Sequence, residues 1–347
     1  MINPKLSVVV PTHGRVDLFK ETLQSLLSQT SKDFEIIVTD DSSLQNDRKE
    51  IKSLVLGAKK KGLNIRYLYS EPNLRQAKNT NQGLREAKGK YIRILHSDDL
   101  LAPECIEMEI KAFENHPQCN FLTHSAINFT NQVNFTNDVK WGYFDLKKCW
   151  LDKNIFLRCA LPTTLVFKKE VYERIGGMNE QYDFLCDWDF FFRILLDSYV
   201  RQEWTAMFYT KGLVGWRKHN NSTTSTMALI CFKEHQHFID KIIPIYKKMK
   251  IIKKKQLKEN IKEAIDNRYD RVISDYHKYH NFKLPHIPLQ YNSVIKKYEY
   301  KLEKHIKKFI HPIQQIITWG LQPVIIILQA IRLFFIVLRY SLFSRQF

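Results

Sequence analysis

Three polar clusters, each at the end of an apolar run, carry the residue types that could do chemistry in this 347-residue chain. Thr12-His13-Gly14-Arg15 follows LSVVV (6–10), Asp40-Asp41-Ser42-Ser43 follows FEIIV (34–38), and Ser97-Asp98-Asp99 follows YIRIL (91–95). Neighbouring carboxylates repel, so the pairs Asp40-Asp41 and Asp98-Asp99 call for a positive partner. Hard oxygen ligands of this kind suit Mg2+ or Mn2+, and such an ion in turn holds phosphates. One pair alone is ordinarily a turn or a helix cap, where Asp is common. Three clusters at successive run ends make a shared site the better reading. No G-x-G-x-x-G follows the first run and no G-x-x-x-x-G-K-[ST] occurs, so a dinucleotide fingerprint and a P-loop are both missing. A metal is the expected device for phosphate.

The elements that must position these clusters are legible as an alternation. Apolar runs at 6–10, 34–38, 65–69 and 91–95 are separated by helical patterns near 16–29, 47–60 and 74–87. Strand, helix, strand at this spacing predicts an α/β fold with a mostly parallel sheet flanked by helices. Ligands of such sheets bind beyond the carboxyl ends of the strands. If the strands that end at Thr12, Asp40 and Ser97 are neighbours, their polar tails share one rim.

The ordered series SVVVPTHGR (7–15), FEIIVTDDSS (34–43), NLRQAKNTNQGLREAKGKYIRILHSDD (73–99), LPTTLVFKKEVYERIGGMNEQYDFLCDWDFFFR (161–193) and WRKHNNS (216–222) resembles the family 2 glycosyltransferases. These are inverting enzymes of the GT-A fold, Rossmann-like, that use nucleotide-diphosphate sugars, and the similarity covers roughly residues 6–225. The resemblance implies that Pro11, Thr12, His13 and Arg15 belong to the donor loop for base and ribose. It makes Asp40 a base-recognition group that accepts from a pyrimidine N–H, with Asp41 beside it. Lys78 would meet an anionic ligand where the family often has Arg, a point charge in place of a planar fork. Asp99 becomes a ligand for Mn2+ or Mg2+, Asp98 a ribose or metal partner, and His219 the late histidine that closes over diphosphate and metal. Asp187, in Cys186-Asp187-Trp188-Asp189, takes the place of the general base, and Thr163, Gly177 and Trp188 fall on the acceptor side. The chain departs from the family at His13-Gly14, where Tyr-Asn is common, at His96, where relatives carry another acid, and at Cys186, which replaces a Glu. From the residues alone, Asp187 reads equally as a helix cap ahead of WDFFFRILL.

The rest of the chain is different in kind. Residues 241–310 hold 19 Lys and Arg against 7 Asp and Glu, two thirds of the formal net charge of +18. Val294, Tyr298, Leu302, Ile306, Phe309 and Ile310 recur at helical spacing with lysines between them. LQPVIIILQAIRLFFIVL (321–338) is more apolar than a surface helix needs, but Gln315, Gln322, Gln329, Arg332 and Arg339 keep a polar stripe. This favours a helix in a membrane interface over a spanning one, with the lysines on anionic lipid. The expected organisation is a catalytic domain at 1–227, a basic helical region at 228–311 and an apolar amphipathic membrane-associating helix at 312–347. Six scattered cysteines without a C-x-x-C pair fit neither a zinc site nor a disulfide framework. They imply reduced thiols, and the start MINPKLSVVVPT lacks the form of a secretory signal. The expected place is the cytoplasmic face of a membrane. The expected partners are a nucleotide-diphosphate sugar, UDP-linked as the resemblance implies, a glycan or lipid-linked acceptor in cell-surface polysaccharide synthesis, and the lipid surface, with no nucleic acid. A sugar-nucleotide nucleotidyltransferase shares the α/β layout and the metal carboxylates. A basic nucleic-acid-binding protein would share the charge.

Overall fold

The computed structural model describes residues 3–135, 140–145, 162–203 and 205–219, together with Glu234, His237, Phe238 and Lys241. The helix expected over 294–310 and the apolar segment 321–338 lie outside the described residues. The chain divides into compact units 1–284 and 285–347, and every described residue belongs to the first. Among the described residues no helix is long and apolar enough to cross a membrane.

The expected alternation is present. Strand β1 (Leu6–Thr12) leads to helix α1 (Val16–Leu27), β2 (Phe34–Asp40) to α2 (Gln45–Lys60), β3 (Ile65–Tyr69) to α3 (Arg75–Glu86), and then β4 (Tyr91–Ile94) follows. Every residue of β1, β2 and β4 is buried, which is why these strands read as continuous apolar runs: a parallel sheet covered on both faces leaves neither face polar. After β4 come β5 (Leu100–Leu101), α4 (Cys105–Asn115), β6 (Phe121–Phe129), β7 (Lys140–Asp145), a 3-10 turn at Pro162–Thr164, β8 (Leu165–Lys168), α5 (Lys169–Ile175), α6 (Cys186–Val200) and the long β9 (Thr205–Arg217).

The nine strands of the described residues form one sheet in the order β3-β2-β1-β4-β8-β6-β9-β5, with β7 also on β9. The first four are parallel, whereas β8 runs antiparallel to both β4 and β6. The strands β2, β1 and β4 are therefore adjacent, and their carboxyl ends do share a rim.

Helix α1 turns Phe19, Leu23 and Leu26 onto the sheet, where they join Val8, Val10, Ile36 and Val38 in the core. Burying each such side chain contributes about 1.5–3 kcal/mol. On the other face α3 comes closer. A Cβ at Gly83 would stand 2.4 Å from Val9 Cγ1, so only glycine lets this helix approach β1. That approach puts Asn79, Thr80 and Asn81 of α3 inside the protein. Buried polar groups need partners, and theirs are at the site.

Candidate functional site

The donor side is built from the ends of β1 and β2. Gly14 and Arg15 both have positive φ, 59° and 52°. A non-glycine residue there is held against its preference, and the turn delivers the Arg15 side chain across the rim. The Gly14 amide donates to Ser42 Oγ at 2.7 Å, joining the two loops. Asp40 is fully buried. Its Oδ1 accepts from the Ser42 amide at 2.9 Å and the Ser42 hydroxyl at 2.5 Å, and its Oδ2 from the Tyr67 hydroxyl at 2.7 Å. The residue expected to meet a base thus spends its oxygens on ordering the loop. Asp41 does similar work: Oδ2 takes the Leu74 amide at 3.0 Å, and Oδ1 lies 3.2 Å from Asn79 Nδ2 and 3.3 Å from His13 Nδ1. The hydrogen bond to Asp41 raises the His13 pKa above its ordinary value. Asn79 Nδ2 also lies within reach of the carbonyls of Thr12 and Thr39, so one buried amide ties β1 to β2. Pro11 and Thr12 are buried in β1, and Lys78 is exposed on α3.

Asp98 and Asp99 take different partners. Asp98 Oδ2 accepts from Arg15 Nη1 and lies beside His219 Nε2, both at 2.9 Å. Burial alone would raise the Asp98 pKa, but the His219 hydrogen bond and the Arg15 charge reverse this and hold it at about 2. Asp99 is turned inward: Oδ1 takes the Arg217 amide at 2.9 Å, and its backbone carbonyl takes the Thr22 hydroxyl at 2.9 Å. Burial and then the charge of Asp98 push the Asp99 pKa well above the usual carboxylate range. His219, expected on the metal side with Asp99, thus lies against Asp98. The cause is local: Arg217, two residues before His219, occupies Asp99 with its amide and leaves the ring to Asp98. Arg217 further donates Nε to the Asp98 carbonyl at 2.9 Å and Nη2 to Glu21 at 2.5 Å. The end of β9 is thus clamped to the end of β4 and to α1.

The residues fit a divalent cation. Asp99 Oδ2 and His96 Nε2 are buried atoms with no hydrogen-bond partner among the described residues. Each of His96, Asp98 and Asp99 offers a ligand atom within 4.8 Å of the others. Burial lowers the His96 pKa and favours the neutral ring a metal needs. A second group, Cys105, Glu109 and His124, is equally close-set and buried, but it already contains a cation. Fully buried Arg93 pairs with Glu109 and donates to the Thr163 carbonyl at 2.5 Å. His124 Nε2 lies 2.8 Å from the same Glu109 oxygen. This network fixes the 3-10 turn that sets Thr163 beside Asp99.

Asp187 lies in the first turn of α6, where its Oδ1 accepts the Trp188 amide at 2.8 Å. Asp189 is turned away and buried, with Arg193 at 2.7 Å and Lys241 at 3.3 Å. Gly177 is where α3 meets the acceptor side. The Met178 amide donates to Asn81 Oδ1 at 2.7 Å, Asn81 Nδ2 donates to the Met178 carbonyl at 2.8 Å, and a Cβ on Gly177 would lie 2.2 Å from Asn81 Oδ1. Arg193 grips the same turn from α6 through the carbonyls of Ile175 and Gly177, at 2.8 and 2.6 Å. Trp188 is buried beside Phe238. Sequence reasoning passed over His96 as a ligand, and over Tyr67, Asn79, Asn81, Arg93 and Arg217.

The description glycosyl transferase family 2 matches residues 7–176. An uncharacterized glycosyltransferase of Haemophilus influenzae is 28% identical over 193 residues, which cover 55% of this chain and 62% of that protein, so the match spans less than two thirds of the relative. Among solved structures, the mannosyltransferase PcManGT from Pyrobaculum calidifontis, in complex with GDP-Man and Mn2+, aligns with a TM-score of 0.54 at 15% identity over 89% of this chain and 84% of that one. TarS 1-349 of S. aureus, in complex with UDP-GlcNAc, aligns with a TM-score of 0.50 at 20% identity over 66% of each. At such identities the two structures establish the shared fold.

Proposed function

We propose that the chain is a glycosyltransferase of the glycosyl transferase family 2, whose description matches residues 7–176, and that it moves a sugar from a UDP-linked donor to a hydroxyl of a glycan or lipid-linked acceptor, with inversion. The observation that carries this reading is the junction at the end of β4. There Asp98, Asp99 and His96 converge, with one carboxylate oxygen and one ring nitrogen that have no hydrogen-bond partner among the described residues, beside Arg15 and His219. Asp98, Asp99 and His96 would hold Mn2+ or Mg2+, which when bound supplies neutralisation of the charge on a departing diphosphate. The solved neighbours' complexes with UDP-GlcNAc and with GDP-Man and Mn2+ support a donor of this class.

The protein's own groups divide the work. Arg15 and His219 stand where a diphosphate would meet positive charge, and the loop ordered by Asp40, Asp41 and Asn79 holds His13 toward the nucleoside. Asp187 takes the proton of the acceptor hydroxyl as the hydroxyl oxygen bonds to the anomeric carbon. The bond from that carbon to the diphosphate oxygen breaks, and the nucleoside diphosphate leaves with the electron pair. A base in this role must come within hydrogen-bond reach of the hydroxyl in the ternary complex. The basic segment and the apolar terminus favour an acceptor at the cytoplasmic face of a membrane, in the assembly of a surface polysaccharide.

Titration calorimetry of the full chain with UDP, UDP-GlcNAc, GDP and GDP-mannose, with and without Mn2+, tests the reading. Binding of a uridine ligand that tightens at least about tenfold with Mn2+, and loses that gain in Asp99→Ala, is the expected result. Equal affinity with and without metal removes the metal site, and no binding of any sugar nucleotide removes the donor assignment.

A further inference from the structure

Glu234 lies in the stretch expected to form a separate basic region, yet it is buried. Its carboxylate accepts three consecutive backbone amides. Oε1 takes the Asp183 N–H at 2.6 Å, and Oε2 takes those of Phe184 and Leu185, both at 2.8 Å. These three residues immediately precede α6, and the Leu185 carbonyl accepts the Asp189 amide as the helix begins. A negative charge here also complements the positive end of the helix. Two residues farther on begins Asp187.

The neighbours of Glu234 bear on the same place from other directions. The Phe238 ring meets Trp188, Phe192 and Tyr182 edge-on, with centroids 5.7–6.4 Å apart. His237 packs on Tyr182 at 5.7 Å, and Lys241 reaches Asp189. Each of the described residues past His219 therefore touches α6 or the loop that leads into it. That loop is in turn tied to the donor side, because Asp183 pairs with Arg75, the first residue of α3, while the amide just before it, on Leu74, is held by Asp41.

We propose that Glu234 is a positioning residue for the transfer reaction: by clasping the amides of Asp183, Phe184 and Leu185 it sets the first turn of α6, and so the direction in which Asp187 presents its carboxylate to the acceptor. The proposal rests on the transferase reading above and on Asp187 as base. It assigns a positioning task to a segment beyond β9. Glu234 touches no reacting atom, so its loss acts on turnover and leaves donor affinity unchanged.

The test uses the full chain and two donors, UDP-GlcNAc and GDP-mannose with Mn2+, following release of the nucleoside diphosphate to water. Wild type, Glu234→Gln, Glu234→Ala, Asp187→Asn and the double variant Asp187→Asn with Glu234→Ala are compared. In Glu234→Ala, kcat falls about 10- to 100-fold, the cost of a misplacement on the order of an ångström, while donor affinity by calorimetry stays within about twofold. Glu234→Gln, which keeps acceptor oxygens, lies between it and wild type. The double variant is no slower than Asp187→Asn alone, because an arrangement that serves only Asp187 has nothing left to serve. Hydrogen exchange at the amides of 183–185 rises in Glu234→Ala and shows the clasp directly; if that variant fails to fold, Glu234→Gln carries the comparison. Wild-type turnover in either Glu234 variant, additive losses in the double variant, or a donor affinity that falls in step with kcat overturns the assignment. Wild-type protein that releases no nucleoside diphosphate overturns the transferase reading instead, and the role in turnover with it, whereas unchanged exchange at 183–185 overturns the clasp whatever the activity.

Discussion

At the scale of single residues the site separates groups that hold shape from groups left for chemistry. Asp40 and Asp41 have their oxygens committed to the protein, and Asp189 is bound between Arg193 and Lys241. Asp187 is set apart from them by its position in the first turn of α6, half-buried, with the Trp188 amide on one oxygen. A general base contributes about 10²- to 10⁴-fold. Asp187→Asn keeps nearly the same shape and can still accept the Trp188 N–H through its carbonyl oxygen. The expected outcome is a loss of turnover in that range with unchanged affinity for the donor, read from single-turnover kinetics beside calorimetry. Turnover at the wild-type rate would leave Asp187 as a helix cap and nothing more.

At the scale of elements, α3 is the part that composition disguises. RQAKNTNQGLRE has the polarity of a surface helix, yet it sends Asn79 to the ends of β1 and β2 and Asn81 to the turn at Gly177. The strand runs and their polar tails were legible because a parallel sheet buried on both faces imposes an apolar run of fixed length. The inward turn of an asparagine imposes no such pattern, and neither does the clasp of Glu234 from within a lysine-rich stretch. Arg93 is equally opaque: inside YIRIL it reads as an outward-facing strand residue, whereas it is fully buried. The pairing of β8 between β4 and β6 likewise brings together segments too far apart in sequence for local periodicity to announce. The element-scale prediction concerns Gly177. With a Cβ 2.2 Å from the Asn81 amide oxygen, Gly177→Ala must spread α3 from the turn, an overpacking cost of about 1–3 kcal/mol. A lowered midpoint in thermal denaturation is expected, and an unchanged one would show that α3 does not clasp this turn.

At the scale of the whole molecule two properties follow from charge. The cytoplasmic-face location proposed above predicts that the full chain sediments with vesicles containing anionic lipid and stays bound in about 1 M salt, where the Debye length is about 3 Å; complete release by salt alone would remove hydrophobic insertion and leave only electrostatic attraction. The second property is the response of the fold to acid, set where β4, α4 and β6 meet. Burial lowers the His124 pKa, and the ring is held neutral with its proton on Nε2, directed at Glu109, while Arg93 faces the same carboxylate and the Tyr209 ring stacks on the imidazole at 5.2 Å. Cys105 adds its thiol to the same Glu109 oxygen at 3.3 Å. For Glu109 burial works upward, but Arg93 and His124 outweigh it and the net direction is down. Both groups bind protons less readily folded than unfolded, so the unfolded chain gains protons first as pH falls. The stability contributed by His124 is full above about pH 6.5, its unfolded value, and is lost below it; that of Glu109 follows below about pH 4.5. Each tenfold difference in proton affinity is worth about 1.4 kcal/mol, which shifts the midpoint by about 3–6 °C for a unit of this size. The denaturation midpoint should therefore decline between pH 7 and 5. In His124→Gln, whose side-chain amide can still donate to Glu109 without titrating, the decline over that interval should flatten. A variant that tracks the wild-type slope would place the acid sensitivity elsewhere and make the buried Arg93–Glu109–His124 network indifferent to pH.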